Sequence, residues 1–194
     1  MELGFLEIYL IIINIIGFIL FLVNTWMYSH TEEKQVDSFL TITSFLGGSI
    51  GILLAMLLFD RKAVKGNMMS RVFIACIFVI QVILFLIIKG YIAEDLTIAF
   101  WNFFDEHTIL LSYLGIINFA TFAAFAVDKF AAIEHRSRIR IVTLLGLSFI
   151  GGSVGGLIAM YLFRHKTKKD YFKVGLPLIL VMHILVIFYL MNIK

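Results

Sequence analysis

The side chains able to do chemistry in this sequence are few, and they stand inside or just beyond long apolar runs. FRHKTKKDYFK, residues 163–173, holds Arg164, His165, Lys166, Lys168, Lys169 and Lys173. Such a run offers a phosphate the planar fork of arginine and the point charges of lysine. It equally suits an anionic leaflet, where each basic group contributes about 1 kcal/mol. Arg164, His165, Lys166 and Lys169 are therefore the candidates for contact with an anion or headgroup. Asp128, beside Lys129, closes an apolar run. A carboxylate at a membrane border is solvated, paired (here with Lys129 or Arg138), or a proton or cation site.

Asn14 and Asn118 lie within apolar runs, and so do the clusters Gly47-Gly48-Ser49 and Gly151-Gly152-Ser153. An asparagine in hydrocarbon seeks a partner, and such a bond contributes roughly 1 kcal/mol. Small residues let helices approach closely, and glycine pairs also weaken a helix, which marks a substrate site in many transporters. These residues, with Asp128, are the candidates for an ion or substrate pathway. His183 is a weaker one. No HExxH, P-loop or nucleophile elbow occurs, and the single Cys76 allows no intrachain disulfide and no cysteine metal cluster. Ser153, His165 and Asp128 make a poor triad, because Ser153 and His165 stand about 18 Å apart along one continuous helix. No catalytic residue, metal or cofactor is assigned, and the balance is against an enzyme. Nucleic acid is not an expected partner of so short a basic run.

The elements that position these groups are helices in lipid. The chain has 194 residues, 61% of them hydrophobic, with a net charge of +3 and a mean hydropathy of +1.01. Apolar runs near 5–27, 39–59, 71–89, 109–128, 141–163 and 172–192 each suit a hydrocarbon core of about 30 Å, and lipid forces such runs into helices. Residues 91–107, with Trp101, suit an interfacial helix. MELGFLEIYL carries glutamates where a signal peptide needs cations, so the first helix is expected to remain.

The sequence also repeats. At an offset of 104, residues 44–65 and 148–169 agree at 13 of 22 positions, and Tyr9, Asn14 and Phe18 fall on Tyr113, Asn118 and Phe122. His183 falls on Val79 at the same offset. Two three-helix repeats, 1–90 and 108–194, joined by 91–107, are the expected organisation. With three crossings each, the second would be upside down, a 3+3 inverted repeat. Both termini would then be cytoplasmic, with nine basic residues inside against seven outside, a weak positive-inside bias.

NFATFAAFAVDKFAA, RSRIR, GGSVGG and FRHKTKKDYF together resemble the DUF1294 family of membrane proteins. The residues that fit its pattern are Asn118, Asp128, Lys129, Arg138, Gly151, Gly152, Arg164, His165, Lys166, Thr167, Lys169 and Phe172. Arg140 and Ile141 stand where the family pattern has Pro-Glu. The resemblance covers about 90 residues of the second half, makes the first a diverged copy, and implies a fold unit without an activity.

These features lead to an all-α polytopic protein of a bacterial cytoplasmic membrane. The expected function is a small transporter or channel for an ion or small anionic solute, its site at the repeat interface. The alternatives are an enzyme or binder acting on a phospholipid or polyprenyl-phosphate headgroup, and an accessory protein that stabilises a partner. Expected partners are membrane lipids, anionic ones included, and homo-oligomerisation is left open.

Overall fold

A computed structural model describes residues 4–30, 37–60 and 68–193, and every regular element among them is helical. Six helical stretches are long and apolar enough to cross a membrane: Phe5–Met27, Phe39–Phe59, Met68–Ile88, Thr108–Ile133, Ile141–Leu162 and Asp170–Met191. Their outer faces are apolar too. Ile8, Ile11, Ile12, Ile15, Ile16 and Ile19 form an exposed stripe on the first helix. A soluble monomer rarely shows such a surface, whereas lipid accepts it. The protein is an all-helical membrane protein.

The chain divides into two compact units, Met1–Val82 and Ile83–Lys194. The second contains α5 (Phe100–Glu106), α6 (Thr108–Ile133), α7 (Ile141–Leu147), α8 (Ser153–Leu162), α9 (Asp170–Lys173) and α10 (Gly175–Met191). Between α7 and α8, residues Ser148–Gly152 form a wide turn with i→i+5 bonding, in which Gly151 takes φ 130°. A left-handed glycine of this kind ends a helix, because an L side chain there would clash with the backbone.

The segment 141–162 therefore does not run straight. A straight helix of its length would hold its ends about 33 Å apart. Yet Asp128, on α6, accepts a hydrogen bond from the Ile139 N–H before the segment and another from His165 Nε2 after it, at 3.0 and 2.7 Å. The segment is a helical hairpin. Its mouth lies at Asp128, and its tip at Gly151 packs against Tyr113, Leu114 and Ile117. Those positions lie about 17–22 Å from Asp128 along α6.

The first unit contains α1 (Phe5–His30), α2 (Asp37–Thr43), α3 (Ser49–Phe59) and most of α4 (Met68–Ile88). It turns back in the same way. Gly47 takes φ 111° in the turn Ser44–Gly48, and α2 and α3 both pack on α1. Leu40 of α2 and Met56 of α3 share one core with Phe21 of α1 and Ile74 of α4. On a straight helix Leu40 and Met56 would stand roughly 24 Å apart.

Two further expectations change. The fourth apolar run stays helical to Ile133, so Asp128 lies inside α6 instead of at its end. Residues 91–107 are helical only over Phe100–Glu106. The stretch before it is held by Asn192, whose Oδ1 accepts from the Thr97 N–H at 2.7 Å and whose Nδ2 donates to the Thr97 carbonyl at 3.1 Å.

Close helix contact, and not glycine content as such, makes some glycines indispensable. A Cβ at Gly155 would lie 2.0 Å from the Asn118 carbonyl oxygen, whereas one at Gly115 would meet nothing within 4 Å. Gly155→Ala should lower stability by about 1–3 kcal/mol, the usual overpacking cost, and Gly115→Ala should cost nothing. Thermal unfolding of the two variants in one detergent checks this. Equal midpoints would contradict the packing described.

Candidate functional site

The glycine breaks come first, because they decide where the polar groups point. Non-helical backbone at membrane depth leaves peptide groups that lipid cannot satisfy. In the second unit Asn118 answers them: Nδ2 donates to the Gly151 carbonyl at 2.9 Å and to Leu114 at 2.8 Å, and Oδ1 accepts from the Gly155 N–H at 2.7 Å. Tyr113 donates to the Ile150 carbonyl. In the first unit Asn14 makes the same bonds, to Gly47 at 3.0 Å, to Leu10 at 2.7 Å and from Gly51 at 2.8 Å, and Tyr9 donates to Leu46.

Ser153 and Ser49 are also engaged. In the second unit His183 places Nδ1 2.9 Å from Ser153 Oγ and Nε2 2.8 Å from the Phe149 carbonyl. A carbonyl only accepts, so Nε2 carries the proton and Nδ1 accepts from the serine. In the first unit Gln81 does both jobs: Oε1 accepts from Ser49, and Nε2 donates to the carbonyls of Ser44 and Phe45. His183 is thus the counterpart of Gln81, not of Val79. The third helices are offset by 102 residues, and the neutral imidazole imitates an amide.

The pathway candidates Asn14, Asn118, Gly47, Gly48, Ser49, Gly151, Gly152 and Ser153 therefore lie together at the breaks of their own units. Asparagines and serines alike are bonded across those breaks. Gly152 has a separate reason to be small, since a Cβ there would stand 1.9 Å from Thr121 Oγ1.

Asp128 belongs with the other candidate set. It is fully buried and lies at the mouth of the hairpin, where both adjoining loops reach it. Its Oδ1 takes the Ile139 N–H, and its Oδ2 takes His165 Nε2 and Lys166 Nζ, both at 2.7 Å. Arg138 Nη2 stands 3.6 Å from the same oxygen. Lys166 Nζ also lies 4.9 Å over the ring of Phe172, which packs edge-on against Phe125. Burial pushes the Lys166 ammonium below the usual lysine range, and its hydrogen bond and charge contact with Asp128 pull it partly back.

The backbone is shaped to this end. Arg164 and Lys166 take φ of 44° and 64°, a left-handed conformation costing about 1–2 kcal/mol per residue. The expectation that His165 and Lys166 face an outside anion is corrected here. A buried carboxylate within reach turns both inward, leaving Arg164, Lys168 and Lys169 on the exposed surface. Asp128 is correspondingly not solvated but paired, and Arg138, one of its two expected partners, is among its ion pairs.

The clamp at the break and the charged cluster at the mouth together span Asn118 to Phe172, and the model of the family described as "Protein of unknown function (DUF1294)" matches residues 118–172. "Uncharacterized protein YsdA" of Bacillus subtilis (strain 168) is 38% identical over 79 residues, which are 41% of this chain and 89% of that protein. The chain belongs to the DUF1294 family. No solved structure matches it. The relative is close to one unit in length. Within the first unit the counterparts of the charged cluster differ: Asn24, buried, replaces Asp128, and Asp60 replaces Arg164 and pairs with Arg71 at 2.9 Å. Arg61, Lys62 and Lys65 lie outside the described residues.

Three signals escaped the sequence. Thr121, which donates to the Ile117 carbonyl at 2.7 Å, reads as an ordinary small residue. Gln81 and His183 are visible as polar residues in apolar runs, but their equivalence needs the offset of 102. Phe172 is marked only by the family resemblance, and what it does shows once Lys166 is placed on its ring.

Breaking a buried ion pair from one side is costly, about 3–5 kcal/mol, because the partner charge stays buried. Asp128→Asn should lower unfolding stability by that order, and Asp128→Asn with Lys166→Met should lose clearly less. Equal losses in single and double variants, measured by thermal unfolding, would contradict the coupling. His183→Gln should keep stability within about 1 kcal/mol, while His183→Ala should lose on the order of 2, since it leaves the Phe149 carbonyl and Ser153 unpartnered.

Proposed function

We propose that this is an integral protein of a bacterial cytoplasmic membrane that binds the phosphate-bearing headgroup of an anionic amphiphile at the basic end of its second unit. One observation carries the reading. Loops 134–140 and 163–169 are bound to the same carboxylate, which brings exposed Arg138, Arg140, Arg164, Lys168 and Lys169 to one end of the unit. Lys166 and His165 carry the hydrogen bonds to Asp128 and Arg138 stands 3.6 Å from it, while Arg140, Arg164, Lys168 and Lys169 are exposed to a ligand. Phospholipids and polyprenyl phosphates share the recognised group. Arginine suits it best, because its fork makes two parallel bonds to phosphate oxygens.

The recurrence at an offset of 104, together with a relative of about one unit's length, supports duplication of a single ancestral unit. Among the described residues of the first unit, buried Asn24 stands where the second has Asp128, so the binding we propose is assigned to the second unit. A second reading, transport of an ion or small anionic solute, is favoured by the helix breaks at Gly47 and Gly151. Against it, Asn14, Asn118, Ser49 and Ser153 make their hydrogen bonds inside their own units. An accessory role for a partner protein draws on no particular contact.

Native mass spectrometry of the purified protein with a phosphatidylglycerol and a neutral lipid tests the first reading. Arg164→Lys should weaken retention of the anionic lipid on the order of tenfold, because the fork is lost while the charge stays. Lys173→Ala should change it far less. Equal, additive losses would indicate diffuse attraction and contradict a site.

A further inference from the structure

We infer that segments 37–59 and 141–162 enter and leave the membrane on one side, so that α1, α4, α6 and α10 are the crossing helices and every strongly basic loop faces the cytoplasm. The first support is geometric. The mouth of the second hairpin is closed on one carboxylate, with the Ile139 N–H and His165 Nε2 on its two oxygens. A segment with both ends at Asp128 cannot have delivered residue 165 to the opposite face. The tip at Gly151 reaches Leu114 and Ile117, about 17–21 Å from the mouth along α6, short of the roughly 30 Å of a hydrocarbon core. Irregular backbone at that depth is tolerated when it is buried in protein, and Asn118 and Tyr113 supply the burial and the bonds. In the first unit, the core shared by Leu40, Met56 and Phe21 and the matching Asn14 clamp give the same fold-back.

The second support is charge, and it is independent of the first. With six straight crossings the basic residues divide nine against seven, scarcely a bias. With the two hairpins re-entrant, stretches 31–36, 60–71, 129–140 and 164–173 all fall on one side. Of the sixteen lysines and arginines only Lys89 and Lys194 fall elsewhere. The stretch 91–107, on the sparse side, contains Glu94, Asp95, Asp105 and Glu106 and no lysine or arginine. Lys and Arg near the ends of crossing helices set orientation, and a bias this large puts the basic stretches in the cytoplasm. The start of α1 and the end of α10 then lie outside, the reverse of the cytoplasmic termini expected from six crossings. The upside-down second repeat loses its basis as well, since it depended on an odd number of crossings in each repeat.

The surface that results is a basic one at the level of the inner-leaflet headgroups, where anionic phospholipid is the complementary partner. The topology does not rest on the headgroup reading above. If that reading fails, the sidedness stands, and a wrong sidedness leaves lipid retention by Arg164 untouched.

Single cysteines in the full chain, with Cys76→Ala, test it in bacterial cells using a membrane-impermeant maleimide. Asp95→Cys should label in intact cells. Ser137→Cys and Lys168→Cys should label only after permeabilisation, with a rise of at least fivefold for both. Labelling of 137 and 168 from opposite sides would overturn the inference, and so would labelling of both in intact cells. Where a cysteine variant fails to accumulate, alkaline phosphatase fused after Lys194 of the natural sequence should be active. A phosphatase fusion that is inactive, with a green fluorescent fusion that is bright, would overturn it too.

Discussion

A helix broken inside a membrane exposes peptide groups that lipid cannot hydrogen-bond, and here each break is answered by one asparagine. The Asn118 amide donates to the Gly151 carbonyl on one side of the turn and accepts from the Gly155 N–H on the other. Asn14 does the same at Gly47 and Gly51. Without that clamp the left-handed glycine would leave unsatisfied polar groups, each costing several kcal/mol in hydrocarbon. With it the chain can reverse within the apolar layer, and the rest of the architecture follows. Gly155 must be glycine because the clamp draws its backbone against Asn118, and α8 then lies along α6 toward Asp128.

Reversal sets what the far ends can do. Two loops that straight helices would separate meet around one buried carboxylate. Asp128 collects a lysine, a histidine and a backbone N–H, with Arg138 just beyond bonding distance. A carboxylate so well matched stays buried without leaving an unpaired charge, and it holds Arg164 and Lys166 in strained conformations that a free loop would relax. The cations left on the surface are concentrated by this arrangement, which is the physical basis of the headgroup reading. Among the described residues of the first unit, buried Asn24 and the Asp60–Arg71 pair stand at the corresponding positions, and the fold-back is the same.

Much of this was legible from residue types. Hydropathy marked the apolar stretches, and the shared asparagines, tyrosines and glycines marked the paired breaks. Asn14 and Asn118 read as polar groups in need of partners, which they are, though the partners proved to be the broken backbone. The fold-back itself was hidden, because a straight crossing and a hairpin of two half-helices have the same length and the same apolar composition. What separates them is contact: residues 139 and 165 on Asp128 in the second unit, and Leu40 with Met56 in one core in the first. For the same reason the sequence does not show that Asp128 meets His165 and Lys166. At the offset of 104 His183 falls on Val79, and the two-residue shift of the third helix hides its match to Gln81.

The central claim is that the mouth of the second hairpin is closed, and a distance tests it most directly. Spin labels at Ser137→Cys and Lys168→Cys, in the full chain reconstituted in lipid nanodiscs, report the separation of the two loops by pulsed dipolar spectroscopy. The fold-back predicts a distance below about 20 Å, since both loops bond to one carboxylate. A straight crossing of about 33 Å between the loops would give 35 Å or roughly more, and that result would contradict the account.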